Sequence, residues 1–308
     1  MKWPQSLVPG SRIAIVAPAG RIYKHELEFA LNWISVNSWE AVFSDELFRE
    51  HNFGYFYAGK DEHRLKFVQQ ELNNPTIDAI WFARGGYGSV RLIDQLDFSQ
   101  FIQKPKWIIG YSDITVFHNH LNNLGIPSLH AVTAKQLQLP YTPASYTELK
   151  RVLCGEKLNY TFPAGANDIE GQVEGTLVGG NLSMIYSQLG SSSSIQGENL
   201  ILFIEDWQEN WYHLDRMLMA LKRSGLLSRI KGLIVGSFTK MDLREENPHY
   251  HSDFDEVSNQ IILSFFENEG IPVMFGFPAG HIGDNRAMVF GSDVILNVDD
   301  EFVNLQWK

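Results

Sequence analysis

A single cysteine, Cys154, occurs among the 308 residues, so no intrachain disulfide can form and neither a zinc ribbon nor a Cys-x-x-Cys redox site is available. Basic residues are scarce too: 25 Lys and Arg stand against 36 Asp and Glu, for a formal charge of −11. Such a surface repels phosphate backbones and anionic bilayers, which argues against nucleic acid or membrane as partner. Long apolar runs are missing as well. Stretches such as Ile13–Ala17 fall far short of the roughly 20 residues a membrane helix needs, and Met1-Lys2-Trp3-Pro4-Gln5-Ser6 does not have the form of a signal peptide. A cytoplasmic protein in a reducing compartment is expected. What the chain has in quantity is core material, 44% hydrophobic with 13% aromatic residues, enough for two domains or one large one.

The apolar residues fall into alternating strand and helix patterns. Arg12–Ala17, Glu40–Ser44, Ala79–Phe82 and Trp107–Gly110 read as strands; Tyr23–Asn37, Lys60–Asn73, a segment through Leu96 and the stretch after Ser112 read as helices. This order predicts a parallel α/β sheet, which binds ligands at the carboxyl ends of its strands, where Gly20, Gly86 and Ser112 fall. Residues 1–140 are thus expected to form an N-terminal domain. The pattern weakens over 141–168, where prolines interrupt it, and this segment is expected to link to a second domain at 169–308. There Gly171–Val178, Asn199–Ile204, Gly232–Phe238 and Pro272–Phe277 read as strands, with a turn at Gly179-Gly180-Asn181. Leu182–Leu189, Tyr212–Leu227 and Asp253–Asn268 read as helices, and Ala287–Leu305 as antiparallel hairpins. The run Ser191–Ser194 reads as a loop.

Ser112 stands where an apolar strand ends at Gly110 and a helix begins. A serine on such a turn presents its hydroxyl to the unsatisfied N–H groups of the helix start, a suitable place for a nucleophile. The elbow pattern G-x-S-x-G is only half met, because Ile114 occupies the last position, and a plain N-cap serine is the competing reading. Arg84-Gly85-Gly86-Tyr87-Gly88 lacks the spacing of a dinucleotide loop. Its place in the sheet favours a bare Gly86 N–H beside the nucleophile over a simple tight turn. Of the ten histidines, His249, His251, His118, His120 and His130 lack zinc-site spacing and read as surface residues. His281 differs, being flanked by Gly280 and Gly283 in a loop free to approach another element. Glu205, at the exit of an apolar strand, is the matching acid or an ordinary strand-end carboxylate.

Ala83-Arg84-Gly85-Gly86-Tyr87-Gly88, Pro105-Lys106 with Gly110-Tyr111-Ser112-Asp113-Ile114-Thr115, Gly179-Gly180-Asn181-Leu182-Ser183, Glu205-Asp206 with Tyr212 and Asp215-Arg216-Met217-Leu218, and Gly280-His281 together resemble the LD-carboxypeptidase family of serine peptidases, which also includes the microcin-immunity peptidases. The resemblance runs from about Arg12 to Gly291. It implies a Rossmann-like N-terminal domain, a mixed C-terminal domain with a β-barrel-like, swivelling sheet, and a homodimer without cofactor or metal. It implies Ser112 as nucleophile, His281 as general base and Glu205 as its orienting acid, with the backbone N–H groups of Gly86 and Asp113 as oxyanion hole. The activity implied is release of the terminal D-alanine from murein tetrapeptides in peptidoglycan recycling. The alternatives are cleavage of peptidyl-nucleotide amides and, in a different class, non-catalytic ligand binding. Three positions depart from the family pattern: Ala131-Val132 where Gly-Pro is usual, Val289-Phe290-Gly291 for Pro-x-Gly, and Trp211 in place of proline. They affect pocket walls rather than the triad. Arg84, just before the Gly85-Gly86 turn, is the candidate for holding a substrate carboxylate, with a structural role bonding loop carbonyls as its alternative.

Overall fold

The computed structural model describes residues 1–135, 142–242 and 250–308; the expected domain boundary at residue 140 and His249 lie outside them. In β1 (Arg12–Val16), Ile13 and Ile15 join one core while Ala14 and Val16 join another. A sheet apolar on both faces must be covered on both. The chain continues through α1 (Glu28–Val36), β2 (Glu40–Val42), a small hairpin of β3 (His51–Asn52) and β4 (Phe56–Tyr57), α2 (Asp61–Asn73), β5 (Ala79–Phe82), α3 (Ser99–Gln103), β6 (Trp107–Gly110), α4 (Thr115–Asn123) and β7 (Ser128–His130). Strands pair in parallel in the order β2-β1-β5-β6-β7, the Rossmann-like arrangement expected. Lys106 explains part of one motif: its buried ammonium donates to the carbonyls of Glu71 and Leu72 at the end of α2, 2.8 and 2.5 Å away. The helix expected through Leu96 is instead two 3-10 turns, Ser89–Arg91 and Ile93–Gln95. Its start is pinned because Asp113 takes the Ser89 N–H at 2.8 Å.

The second sheet is built from β8 (Asn159–Pro163), which follows α5 (Pro143–Leu153), then β9 (Gly171–Asn181), α6 (Leu182–Ser187), β10 (Leu200–Trp207), α7 (Trp211–Arg223), β11 (Ile230–Thr239), α8 (Glu256–Phe266) and β12 (Val273–Met274). The remaining strands are β13 (Met288–Phe290), β14 (Asp293–Val298) and β15 (Phe302–Trp307). Its order is β12-β11-β10-β9-β14-β15-β8, parallel from β12 to β9 and antiparallel beyond. The sheet stays open, with β12 and β8 as its edges, so the barrel-like form does not close.

Segment 141–168, read as a linker, contains a helix and a strand. Thr142 caps α5 and Pro143 sits in its first turn, so the proline taken as a break starts the helix. The tail also departs from simple hairpins. Although β14 and β15 pair as expected, β13 leaves them to add an antiparallel strand to the first sheet beside β7.

The two sheets therefore share a core, in which Trp81, Ile109 and Leu129 of the first join Ile201, Phe203 and Ile234 of the second, with Phe290 from the crossing strand. Two histidines read as surface residues are buried here. His118 accepts from the Ser128 hydroxyl at 2.8 Å and donates to the Gly110 carbonyl at 2.9 Å; burial pulls its pKa down to about 4. His130 has neither ring nitrogen bonded and lies against Tyr111, His118, Phe203 and Phe290, so burial holds it neutral.

A histidine whose folded pKa is depressed stabilises the fold above its unfolded pKa of about 6.5 and withdraws that support as pH falls. Stability should drop below pH 6.5 by up to about 1.4 kcal/mol per pH unit for each such group. His130→Phe should flatten this slope, as measured by urea denaturation at pH 7.5, 6 and 5; an unchanged slope would assign the acid lability elsewhere.

Candidate active site

At the carboxyl end of β6, Gly110 adopts φ +158° and Ser112 φ +64°, a left-handed conformation that costs a non-glycine residue free energy and persists only when its surroundings enforce it. The enforcement is visible: a Cβ on Gly110 would lie 2.9 Å from Ile114, so the elbow closes by packing Ile114 on the first glycine. No side chain caps the turn that begins at Ser112. The Ser112 Oγ instead lies 3.1 Å from His281 Nε2, which removes the N-cap reading.

His281 comes from the loop after β12. Its N–H donates to the Ser237 hydroxyl at 3.1 Å, and the preceding Gly280 N–H donates to the buried Asn285 side chain at 3.0 Å. Its Nδ1 lies 2.7 Å from Glu205 Oε2. Glu205 is fully buried and belongs to β10 itself rather than to its exit, and its Oε1 has no hydrogen-bond partner among the described residues. Burial opposes the imidazolium, but the charge and hydrogen bond of Glu205 outweigh it and raise the His281 pKa above 6.5, with a smaller push from Asp206 to the extent that it is ionised. The ring is held on both sides: Trp207 stacks on it at 5.6 Å and 13°, and Tyr111 meets it edge-on at 5.1 Å.

The glycine loop lies against the elbow. A Cβ on Gly85 would fall 3.1 Å from Ser112 Oγ and 3.3 Å from the Asp113 nitrogen. The Asp113 carboxylate is buried and fixes the other end of this loop through Ser89. Arg84 donates to the Arg21 carbonyl at 3.0 Å, in keeping with the structural alternative for it, while its Nε borders Gly20. The two sheets are joined close by. The Asn181 N–H donates to Thr115 Oγ1 at 2.9 Å, and the Asn181 side chain donates to Asp206 at 2.9 Å. Three residues escaped sequence reasoning: Trp207, although it directly follows Glu205-Asp206; Thr115, although it lies within a family motif; and Tyr55, whose only local signal is the turn at Gly54. Among the described residues no group of three or more His, Cys, Asp or Glu side chains is placed to hold a metal.

A serine on a strained strand-to-helix turn, paired with a histidine that a buried carboxylate holds, is the constellation of a serine hydrolase. Comparison with known proteins places the chain more closely. Residues 13–131 match the LD-carboxypeptidase N-terminal domain and residues 174–296 the LD-carboxypeptidase C-terminal domain. The probable murein peptide carboxypeptidase of Bacillus subtilis is 30% identical over 97% of this chain and 92% of its own length. The crystal structure of muramoyltetrapeptide carboxypeptidase from Oxalobacter formigenes superposes with a TM-score of 0.84 at 26% identity, covering 96% of this chain and 98% of that one. The microcin C7 self-immunity protein MccF shares the fold, with a TM-score of 0.82 at 20% identity over 99% of this chain and 98% of that one. The chain belongs to the LD-carboxypeptidase family and is a serine-type carboxypeptidase.

Gly280 is where this arrangement tolerates no side chain. With φ +121°, its added Cβ would lie 2.3 Å from Ser237 Oγ and 2.7 Å from Glu205 Oε2. Gly276 also has a positive φ, +74°, nearer the left-handed region, but nothing within 4 Å. Gly280→Ala should therefore cost on the order of 2–4 kcal/mol of stability and Gly276→Ala only about 1 kcal/mol. Equal losses in chemical denaturation would show that backbone strain alone, and not contact with the Glu205 carboxylate, fixes the glycine.

Proposed function

We propose that the protein is an LD-carboxypeptidase that releases the terminal D-alanine from murein tetrapeptides, by cutting its bond to an L-centre, and that it works in the cytoplasm in peptidoglycan recycling as a homodimer. The observation that carries the chemistry is the unbroken chain Ser112–His281–Glu205, with contacts of 3.1 and 2.7 Å between residues drawn from two sheets. The names of the relatives support the substrate class. The family resemblance supports the homodimer, and the acidic composition and the absence of a long apolar helix among the described residues suit a cytoplasmic setting.

In this mechanism Ser112 Oγ attacks the carbonyl carbon of the L-centre while His281 Nε2 takes its proton. The backbone N–H groups of Gly86 and Asp113 receive the oxyanion, a role supported by the contact of the Gly85-Gly86 loop with Ser112 and the Asp113 nitrogen. His281 then protonates the nitrogen of D-alanine, which leaves as the C–N bond breaks and an acyl-enzyme forms on Ser112. A water deprotonated by His281 attacks that ester, and His281 returns the proton to Ser112 Oγ as the C–O bond breaks and the shortened peptide is freed. Glu205 holds the ring in its working tautomer and offsets the imidazolium charge in both steps. Nucleophile, base and oxyanion donors all come from the chain, so no cofactor enters the reaction.

Incubation with murein tetrapeptide and, separately, a peptidyl-adenylate, followed by mass spectrometry, tests the reading. D-alanine release supports it, and nucleotide release without D-alanine would replace it with the amidase activity. Ser112→Ala and His281→Ala should each lower kcat by about 10⁴–10⁶, and the double variant should be scarcely worse, because members of a triad act as one unit. Multiplying losses would dissolve the unit.

Because His281 must be neutral to accept a proton and its pKa is raised, kcat/KM should fall as pH drops, with a midpoint above 6.5. Glu205→Gln should slow the reaction strongly and move that midpoint down. A pH profile left in place by the substitution would remove Glu205 from the role.

A further inference from the structure

Beside the nucleophile lie two hydrogen-bond donors with no anion to serve. Arg84 is half-buried and, among the described residues, forms no ion pair; its guanidinium makes one hydrogen bond, to the Arg21 carbonyl. The carboxylate whose charge it feels is Glu26, already paired with Lys135 at 2.6 Å and bonded to the Tyr23 N–H at 2.8 Å. Tyr55, between β3 and β4, is also half-buried, and its ring lies edge-on to Tyr87 at 6.4 Å. The described residues provide no acceptor for its own O–H.

Three glycines bring these donors to one recess. An added Cβ on Gly20 would fall 2.7 Å from Tyr55 Oη and 2.9 Å from Arg84 Nε, so phenol and guanidinium converge there. On Gly86 it would fall 2.0 Å from Tyr55 Oη, and on Gly85 3.1 Å from Ser112 Oγ. Gly85 thus backs the nucleophile and Gly86 backs the phenol, one Cα step of about 3.8 Å apart. In a peptide substrate, one residue likewise separates the scissile carbonyl from the next. If that next carbonyl is a free carboxylate, it arrives where two donors lack an acceptor; if the chain continues, it runs into Tyr55.

We infer that Arg84 and Tyr55 form the subsite that captures the free carboxylate of the departing residue, which restricts the enzyme to removing a single C-terminal residue. This rests on the carboxypeptidase reading and adds to it the groups that enforce it. An amide in place of the carboxylate loses charge and brings N–H groups toward donors.

The experiment compares murein tetrapeptide with its C-terminal carboxamide on the full-length enzyme. The wild type should favour the acid by at least about tenfold in kcat/KM. Arg84→Gln and Tyr55→Phe should each reduce kcat/KM for the acid by about 5- to 30-fold, mainly through KM, while the rate on the amide stays within about twofold. The double variant should lose the preference. Equal losses on both peptides, or a preference that survives the double substitution, would overturn the subsite and leave Arg84 a structural arginine. Failure of the wild type to release D-alanine from the acid or D-alaninamide from the carboxamide would instead defeat the functional reading. The subsite is then judged by calorimetry on Ser112→Ala protein: tighter binding of the acid that requires Arg84 supports it, and equal dissociation constants for acid and amide overturn it.

Discussion

Everything near the nucleophile depends on a carboxylate that is buried with one partner. Glu205 has no accessible surface, and among the described residues only its Oε2 is hydrogen-bonded, to His281. An ionised group so deprived of water gains most from whatever cation is next to it. In the proposed mechanism, when His281 takes the serine proton, the nearest compensation for Glu205 appears at once, without any movement of solvent. The Trp207 face stacked on the ring works in the same direction, since an aromatic face attracts a cation. Ground-state discomfort is thus relieved along the reaction coordinate, which is the form of stabilisation that accelerates a step rather than tightening substrate binding.

Such a device works only if the two sheets hold their relative position to a fraction of an ångström, because Ser112 belongs to one and Glu205 to the other. The structure fastens them in three ways. They share one apolar core; β13 crosses from the second half of the chain to pair with β7; and Thr115, at the start of the helix behind Ser112, receives the N–H of Asn181. Asn181 then bonds Asp206, the neighbour of Glu205. A hydrogen-bonded path therefore runs from the elbow helix to the acid's strand without passing through the reacting atoms. Gly180 permits it: a Cβ there would lie 2.3 Å from Thr115 Oγ1.

That role of Gly180 also shows where sequence reading reached its limit. The glycines at 179 and 180 look like a turn, yet both lie inside β9, where Phe203 and Thr115 approach too closely for any side chain. A glycine signals that space or φ is needed, and the sequence does not say which. Strands with both faces apolar, such as Ala79–Phe82, were readable to the residue because burial on two sides leaves an uninterrupted apolar run. Ser112, Glu205 and His281 were readable as positions at strand ends and loops, while their assembly came from family motifs. His118 and His130 were misjudged because local polarity says nothing of burial by a distant strand, and β13, which packs Phe290 against both, arrives from more than 150 residues away. Tyr55 and Trp207 lack periodic context, so only tertiary contact gives them meaning.

Glu205 and Asp206 are adjacent buried carboxylates that face different ways. Alternation along β10 sends Glu205 toward His281 and Asp206 toward the start of α6, where it accepts from Asn181, from the Ser183 N–H at 2.9 Å and from the Trp207 N–H at 2.8 Å. Those donors favour the ionised form, but burial and the charges of Glu205 and Glu209 prevail and push the Asp206 pKa up to about 8. At neutral pH Asp206 is therefore mainly protonated. This follows from environment rather than residue type: a neutral Asp206 can serve as a structural joint, while Glu205 faces His281, a partner able to become a cation. Were Asp206 ionised as well, its field would raise the His281 pKa further and hold the base protonated at the pH where it must accept a proton. Keeping the joint neutral is what allows the connection between the sheets to lie so close to the base without impairing it.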